Sequence, residues 1–339
     1  MTSRERVKRA LTFAGPDRPP REVWALPGVV NGRKDEWERF LARFPQDTTA
    51  PKAAYGRGTR ATGTEYEVGT YVDAWGCVWH VAEYGVIGEV KEPPLANWPA
   101  LSSYKLPWEL LREADMSEVN ASCAATDKFV KGGGETRPFE RMQFLRGSEN
   151  LYYDLGYGVK EVYKLRDMLH EFFCEEMRMW AKTDVDGIGF MDDWGSERSL
   201  LISPEMWRSF FKPLYRDYCN IIKGAGKFVF FHSDGNIEAI YSDLIEIGID
   251  ALNSQLFCMN IEELGRKYRG KVTFWGEIDR QHILPFGTPE EGRAAVRRVR
   301  SACETPGGGV SATFEWGKKD PYENVAAICQ EWEKPWGEA

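Results

Sequence analysis

The chain has 339 residues, 42% of them hydrophobic and 28% charged, enough to build a large core in one or two domains. Lys and Arg number 44 against 52 Asp and Glu, and the net charge of −8 disfavours nucleic acid or an anionic membrane surface as the main partner. No apolar run approaches the ~18 residues of a membrane-spanning helix, and the 7 cysteines are scattered without a Cys-x-x-Cys pair. That pattern argues against a disulfide framework or a zinc ribbon and for reduced thiols in a cytoplasmic protein.

At the start of the chain Thr2 and Glu5 have the spacing of a helix capping box, and the charged opening residues lack the apolar segment of an export signal. The stretch Val68 to Val90 is rich in aromatics and glycine (Tyr71, Trp75, Trp79, Tyr84), which predicts a β-hairpin within an irregular insertion at about 60–105. Phe139 to Phe144 predicts a further strand, and a helix is expected from about Gly158 to Trp180. The clusters Gly132-Gly133-Gly134 and Gly307-Gly308-Gly309 read as turns leading into strands.

The second half repeats one grammar: a short apolar run, a polar cluster, a capped helix, then glycine. Gly187 to Met191 ends in Asp192-Asp193-Trp194, and Ser203-Pro204 opens a helix that Pro213 should kink. Phe228 to Phe231 ends in His232-Ser233-Asp234-Gly235. Ala251 to Gln255 precedes a helix capped by Asn260, and Lys271 to Trp275 runs into Gly276-Glu277-Ile278-Asp279. Thr288-Pro289-Glu290-Glu291 is a capping box, Val310 to Phe314 leads to Glu315-Trp316, and Asp320-Pro321-Tyr322-Glu323 has the spacing of a third box. Strands alternating with helices of this length demand parallel strands and right-handed crossovers. The expected fold is α/β, a single (β/α)8 barrel domain spanning 1–339, ahead of an open doubly wound sheet.

In such a barrel the chemistry sits at the carboxyl ends of the strands. Asp192, Asp193, His232, Asp234, Asn253, Gln255, Glu277, Asp279 and Glu315 all fall where a strand run stops, with Trp194, Trp275 and Trp316 beside the acids. For any single Asp the ordinary role at such a junction is to cap a helix. As a set, these residues describe a pocket with carboxylates for metal binding or acid/base work and aromatic walls for a flat substrate. Asn253, Gln255 and the three tryptophans are the expected substrate contacts. His232 is the sharpest residue, because His80, His170 and His282 fall in the hairpin, a helix and a loop. In an extended chain Asp234 points to the same side as His232, the geometry of a metal-binding pair that Glu315, Glu277 or Cys258 could complete. An open fourth position would make such a metal a Lewis acid.

Trp194-Gly195, Ile202 to Trp207, Lys212-Pro213, His232-Ser233-Asp234-Gly235, Thr273 to Asp279 and Leu284 to Glu291 resemble the uroporphyrinogen decarboxylase superfamily, as do Ser3 to Val7 and Pro16 to Pro20 near the N-terminus. That family is a (β/α)8 barrel with two branches. True decarboxylases carry an arginine-rich stretch near the N-terminus that holds propionates, whereas the corresponding residues here, Val23-Trp24-Ala25-Leu26-Pro27-Gly28, contain no arginine. The methyltransferase branch has a zinc site with a His-x-Cys pair and a further ligand near the last strand. By that resemblance His232, Asp234 and Glu315 are the metal ligands, with Asp replacing Cys. Zinc remains the expected ion, although hard oxygen for soft sulfur leaves the metal open.

The resemblance implies a cytoplasmic enzyme that moves a methyl group from a small donor, such as a methoxylated aromatic, to a corrinoid carried by a partner protein. Asp193 or Glu277 would protonate the leaving oxygen. The alternatives are a decarboxylase acting on a smaller aromatic or tetrapyrrole acid, and a catalytically silent barrel that binds a ligand or a corrinoid protein. The sequence leaves the oligomeric state open.

Overall fold

Eight short parallel strands form the framework of the computed structural model, which describes residues 1–335. They are β1 (Arg21–Ala25), β2 (Thr48–Thr49), β3 (Phe129–Gly133), β4 (Gly187–Met191), β5 (Phe228–Ser233), β6 (Ala251–Ser254), β7 (Thr273–Phe274) and β8 (Ala312–Trp316). Strands β2 to β7 pair in chain order as one curled sheet, and β8 pairs with β1. A parallel bridge between Phe274 and Val310 joins β7 to the approach of β8, and the Asp47 amide donating to the Arg21 carbonyl joins β1 to the approach of β2. The result is a (β/α)8 barrel, the fold expected from the alternation of strand runs and capped helices.

Period-2 alternation sorts each strand into two faces. On β5, Val229 and Phe231 point outward to the helices, while Phe230 and His232 point inward. Phe129, Phe230, Ala251 and Trp275 pack inside the barrel against Val7 and Leu11 of the first helix, Ser3–Leu11. Thr2 caps that helix by accepting from the Glu5 amide. The helix thus covers the amino-terminal end of the barrel, opposite the carboxyl ends of the strands.

Several elements differ from the sequence expectation. Phe139 to Phe144 lies in a helix, Pro138–Arg146, because Phe139, Met142 and Leu145 form one buried stripe at helical spacing behind an N-terminal proline. Gly132 and Gly133 belong to β3 itself. A Cβ on Gly132 would meet the Trp180 ring at 2.6 Å, so glycine here serves close helix packing. The third capping box does not form: the Asp320 carboxylate accepts from the Gly317 amide, and the last helix, Tyr322–Trp332, has no side-chain cap. The chain from Pro204 to Gly224 is helical but passes through a wider π-turn at Trp207–Phe211, just ahead of Pro213. The insertion carries three antiparallel strands, Gly69–Val72, Val78–Val81 and Glu89–Glu92, one more than a hairpin. Its tip reaches the barrel mouth, where Glu83 pairs with Lys318 at 2.9 Å. No helix among the described residues is long and apolar enough to cross a membrane.

Candidate metal and substrate site

The loops after β4 and β5 are locked together by backbone contact. Gly195 and Gly235 approach so closely that a Cβ on Gly235 would lie 2.1 Å from the Gly195 carbonyl oxygen, and Gly235 has φ +75°. The Gly195 amide donates to the Asp234 carbonyl, and the Asp234 amide donates to Asp193 Oδ1 at 2.9 Å. This brings Asp193, at the end of β4, beside the His-x-Asp pair of β5. His232 Nε2 lies 3.6 Å from Asp193 Oδ1 and 3.6 Å from Asp234 Oδ1, and one potential ligand atom of each of the three residues falls within 4.8 Å of the other two.

Two observations show that this donor set fits a divalent cation. Asp234 Oδ1 is buried with no hydrogen-bond partner, an orphaned acceptor facing the imidazole. The His232 ring is held by Asn253, whose Oδ1 lies 2.5 Å from Nδ1. One imidazole with two carboxylates is a hard to borderline set, compatible with zinc but without the selectivity that a thiolate confers. Cys258 contributes none here, since its thiol lies against Gln255 Oε1 at 3.5 Å. Glu315 also stands outside the group: its Oε2 pairs with Arg280 Nη1 at 3.1 Å, and the same guanidinium holds Asp234 Oδ2. Asp193, and not Glu315, is thus the carboxylate beside the pair, because Arg280, projecting from the loop after β7, bridges Glu315 and Asp234.

Glu277 lies 2% exposed behind this group, and neither carboxyl oxygen has a hydrogen-bond partner. Burial pushes its carboxyl up to about 8 despite the opposing Arg280 charge, with Asp234, Glu315 and Asp193 adding to the rise. Burial thus favours its protonated form. Burial also raises Asp193, against the attraction of His232, and raises Glu315. Asp192 has a structural part: its carboxylate accepts from the Phe139 and Glu140 amides at 2.7 Å each and from the Tyr215 hydroxyl, capping the helix that follows β3.

Below His232 the barrel encloses a cavity of about 300 Å³, walled by Trp24, Trp275, Phe230 and the glycines of β3 and β4. The Trp24 ring meets His232 edge-on at 5.3 Å between centroids. At its polar end Lys131 Nζ pairs with Glu22 Oε1 at 2.5 Å, and Trp275 Nε1 donates to Glu22 Oε2 at 2.6 Å.

A family model described as uroporphyrinogen decarboxylase (URO-D) matches residues 74–333. The chain belongs to the URO-D family. No curated protein matches it. Among solved structures, a methyltransferase from Methanosarcina mazei superposes with a TM-score of 0.72 at 16% identity, covering 98% of each chain, and so shares the fold. An endo-β-1,4-xylanase from Gloeophyllum trabeum aligns with a TM-score of 0.46 at 9% identity, covering 96% of this chain and 99% of its own. A 3-keto-D-glucoside 4-epimerase from E. coli aligns with a TM-score of 0.37 at 12% identity over 63% of this chain and 81% of its own.

Within this URO-D family barrel the other expected site residues are distributed unevenly. Trp275 lines the cavity. Asn253 borders it, but both ends of its amide are committed, Oδ1 to His232 and Nδ2 to the Trp275 carbonyl. Gln255 accepts from the Gly235 amide at 3.0 Å and braces the loop of Asp234. Trp194 and Trp316, both fully buried, lie outside the cavity. Trp194 stacks on Phe139 at 4.1 Å, and Trp316 packs on Phe40 of the surrounding helices. Each follows an inward-facing acid, Asp193 or Glu315, so alternation turns it outward, a signal readable in the sequence. Sequence reasoning missed Glu22, Trp24, Lys131 and Arg280. For Glu22 and Trp24 the clue is the alternating burial of Arg21–Ala25, where both face inward around Val23.

Proposed function

We propose that this chain is a methyltransferase that moves a methyl group from a small donor, with methoxylated aromatics as the leading class, to a corrinoid carried by a partner protein. The observation that carries the reading is the convergence of Asp193, His232 and Asp234 above an aromatic cavity at the carboxyl ends of the barrel strands. Membership of the URO-D family and the fold shared with a methyltransferase support it.

Asp193, His232 and Asp234 would hold the metal, zinc being the expected ion, which when bound supplies Lewis acidity at the donor oxygen. Trp24 and Trp275 offer flat apolar walls for the donor ring, and the cavity volume suits one ring. Loss of the methyl group would leave an oxyanion on the donor, and a corrinoid brought by the partner protein would supply the nucleophile that takes the methyl. Glu277, whose burial favours the protonated form and whose oxygens are unpaired, would supply the proton to that oxygen.

The test is metal analysis of the purified chain together with transfer from methoxybenzoates to cob(I)alamin. Near-stoichiometric metal that chelation removes, with loss of transfer, is the expected result. Transfer that persists undiminished in metal-free protein would sink the metal mechanism.

A further inference from the structure

Arg280 spans two carboxylates that belong to different strand ends. One tip of its fork, Nη2, holds Asp234 Oδ2, and the other, Nη1, lies 3.1 Å from Glu315 Oε2. The guanidinium is planar and half-buried, so it fixes both partners in direction as well as in distance. Of the Asp234 carboxylate this leaves Oδ1, which is buried without a hydrogen-bond partner and stands 3.6 Å from His232 Nε2. Asp193 Oδ1 lies at the same distance from that nitrogen and is steadied by the Asp234 amide at 2.9 Å. Two further oxygens close by, Asp234 Oδ2 and Glu315 Oε2, are thus already spent on Arg280. The number of oxygens that a site offers matters to the ion it takes. Zinc settles with four ligands, whereas harder divalent cations such as manganese gather about six, most of them oxygens.

We infer that Arg280 is a positioning residue that sets the coordination number of the metal group. By engaging Asp234 Oδ2 and Glu315 it limits Asp234 to one oxygen and keeps Glu315 out, so the site selects a four-coordinate cation and leaves one position open. The inference rests on reading Asp193, His232 and Asp234 as the metal ligands, and it deepens that reading, because one imidazole with two carboxylates carries little selectivity of its own. Without the guanidinium, Asp234 is free to turn both oxygens to the ion, and Glu315 is free to join it. Both changes add hard oxygen ligands and favour a six-coordinate cation over zinc.

Cobalt(II) reads the coordination number without any methyl donor or acceptor, since its visible absorption is intense in four-coordinate sites and weak in six-coordinate ones. The full chain, stripped by chelation, is loaded with cobalt(II) as wild type, Arg280→Gln and Arg280→Lys, and zinc and manganese(II) affinities are titrated for each. Wild type is expected to show the intense spectrum. Arg280→Gln should weaken it and lower the zinc-to-manganese affinity ratio by about tenfold or more. Loss of a positive charge raises affinity for any cation, so the ratio, and not either constant, carries the test. If Arg280→Gln does not fold, Arg280→Lys, which keeps the charge without the fork, decides by the same comparison. A weak, six-coordinate spectrum in wild type, or a spectrum and ratio unchanged by the substitution, overturns the inference and leaves the metal site standing. A wild-type chain that binds none of the three ions refutes the metal reading and this inference with it. Four-coordinate cobalt in a chain that transfers no methyl group would refute the proposed reaction alone.

Discussion

His232 Nδ1 lies 2.5 Å from Asn253 Oδ1, and Asn253 Nδ2 donates to the Trp275 carbonyl. Because the amide nitrogen is engaged with an acceptor, Oδ1 is the end that faces the ring, and an oxygen of this kind can only accept. Nδ1 therefore carries a proton, and Nε2 is the ring nitrogen that faces Asp193 and Asp234. The relation is that of a metal-ligating histidine whose other nitrogen is held by an outer partner.

Asn253→Ala should release that ring. Removal of such an outer partner weakens metal affinity by roughly 10- to 100-fold, and zinc titration of the chelated protein would read the change. Affinity equal to wild type in a folded variant would show that Asn253 does not orient the ligand.

Asp193→Ala and Asp234→Ala should each lose metal retention far more severely than Glu315→Ala, by on the order of tenfold or more. The reason is position: Asp193 and Asp234 face His232 Nε2, whereas Glu315 faces Arg280. Metal content after gel filtration distinguishes the three. A Glu315→Ala protein that lost metal while Asp193→Ala kept it would reverse the assignment.

Glu277 predicts a pH-dependent stability. In the unfolded chain its proton leaves near ~4.3, while in the folded chain burial holds it up to about 8. Between those values the folded state binds more protons than the unfolded one, so stability is full below the lower value and falls as pH rises toward the upper one. The slope is on the order of 1 kcal/mol per pH unit. Glu277→Gln removes the ionisation, so in chelator its melting temperature should match wild type near pH 5 and exceed it by several degrees near pH 8. Parallel melting curves across that range would contradict the burial argument.

Trp194→Ala should cost ~3–5 kcal/mol of stability, since the ring is fully buried between helices and leaves a large cavity. Trp24→Ala, at the half-buried cavity wall, should cost less stability and weaken aromatic ligand binding more. Denaturant titration paired with ligand titration separates the two, and the opposite ordering would mean that Trp194 lines the ligand site after all.

The absent arginines near Trp24 also predict that uroporphyrinogen is not decarboxylated at a useful rate. Unpaired burial of each substrate carboxylate would cost several kcal/mol, and robust turnover in an anaerobic porphyrin assay would refute the point.

Local chemistry alone determined much of this protein. Apolar runs followed by capped helices specify strands and helices through hydrogen bonding and side-chain period, so the barrel rhythm from Gly187 onward, the Thr2, Asn260 and Thr288 caps and the shared side of His232 and Asp234 were legible residue by residue. Phe139 to Phe144 was misread because a short apolar run satisfies both a strand and one buried helix stripe until its packing partner, the layer around Trp194, is present. Only the tertiary structure decided which acids meet. Asp193 reaches His232 because the Gly195–Gly235 contact draws two loops together across 40 residues of sequence, and Glu315 is withheld because Arg280 bridges it to Asp234. Such choices depend on distances between chain-remote side chains, which are set by the closure of the barrel and by no local pattern.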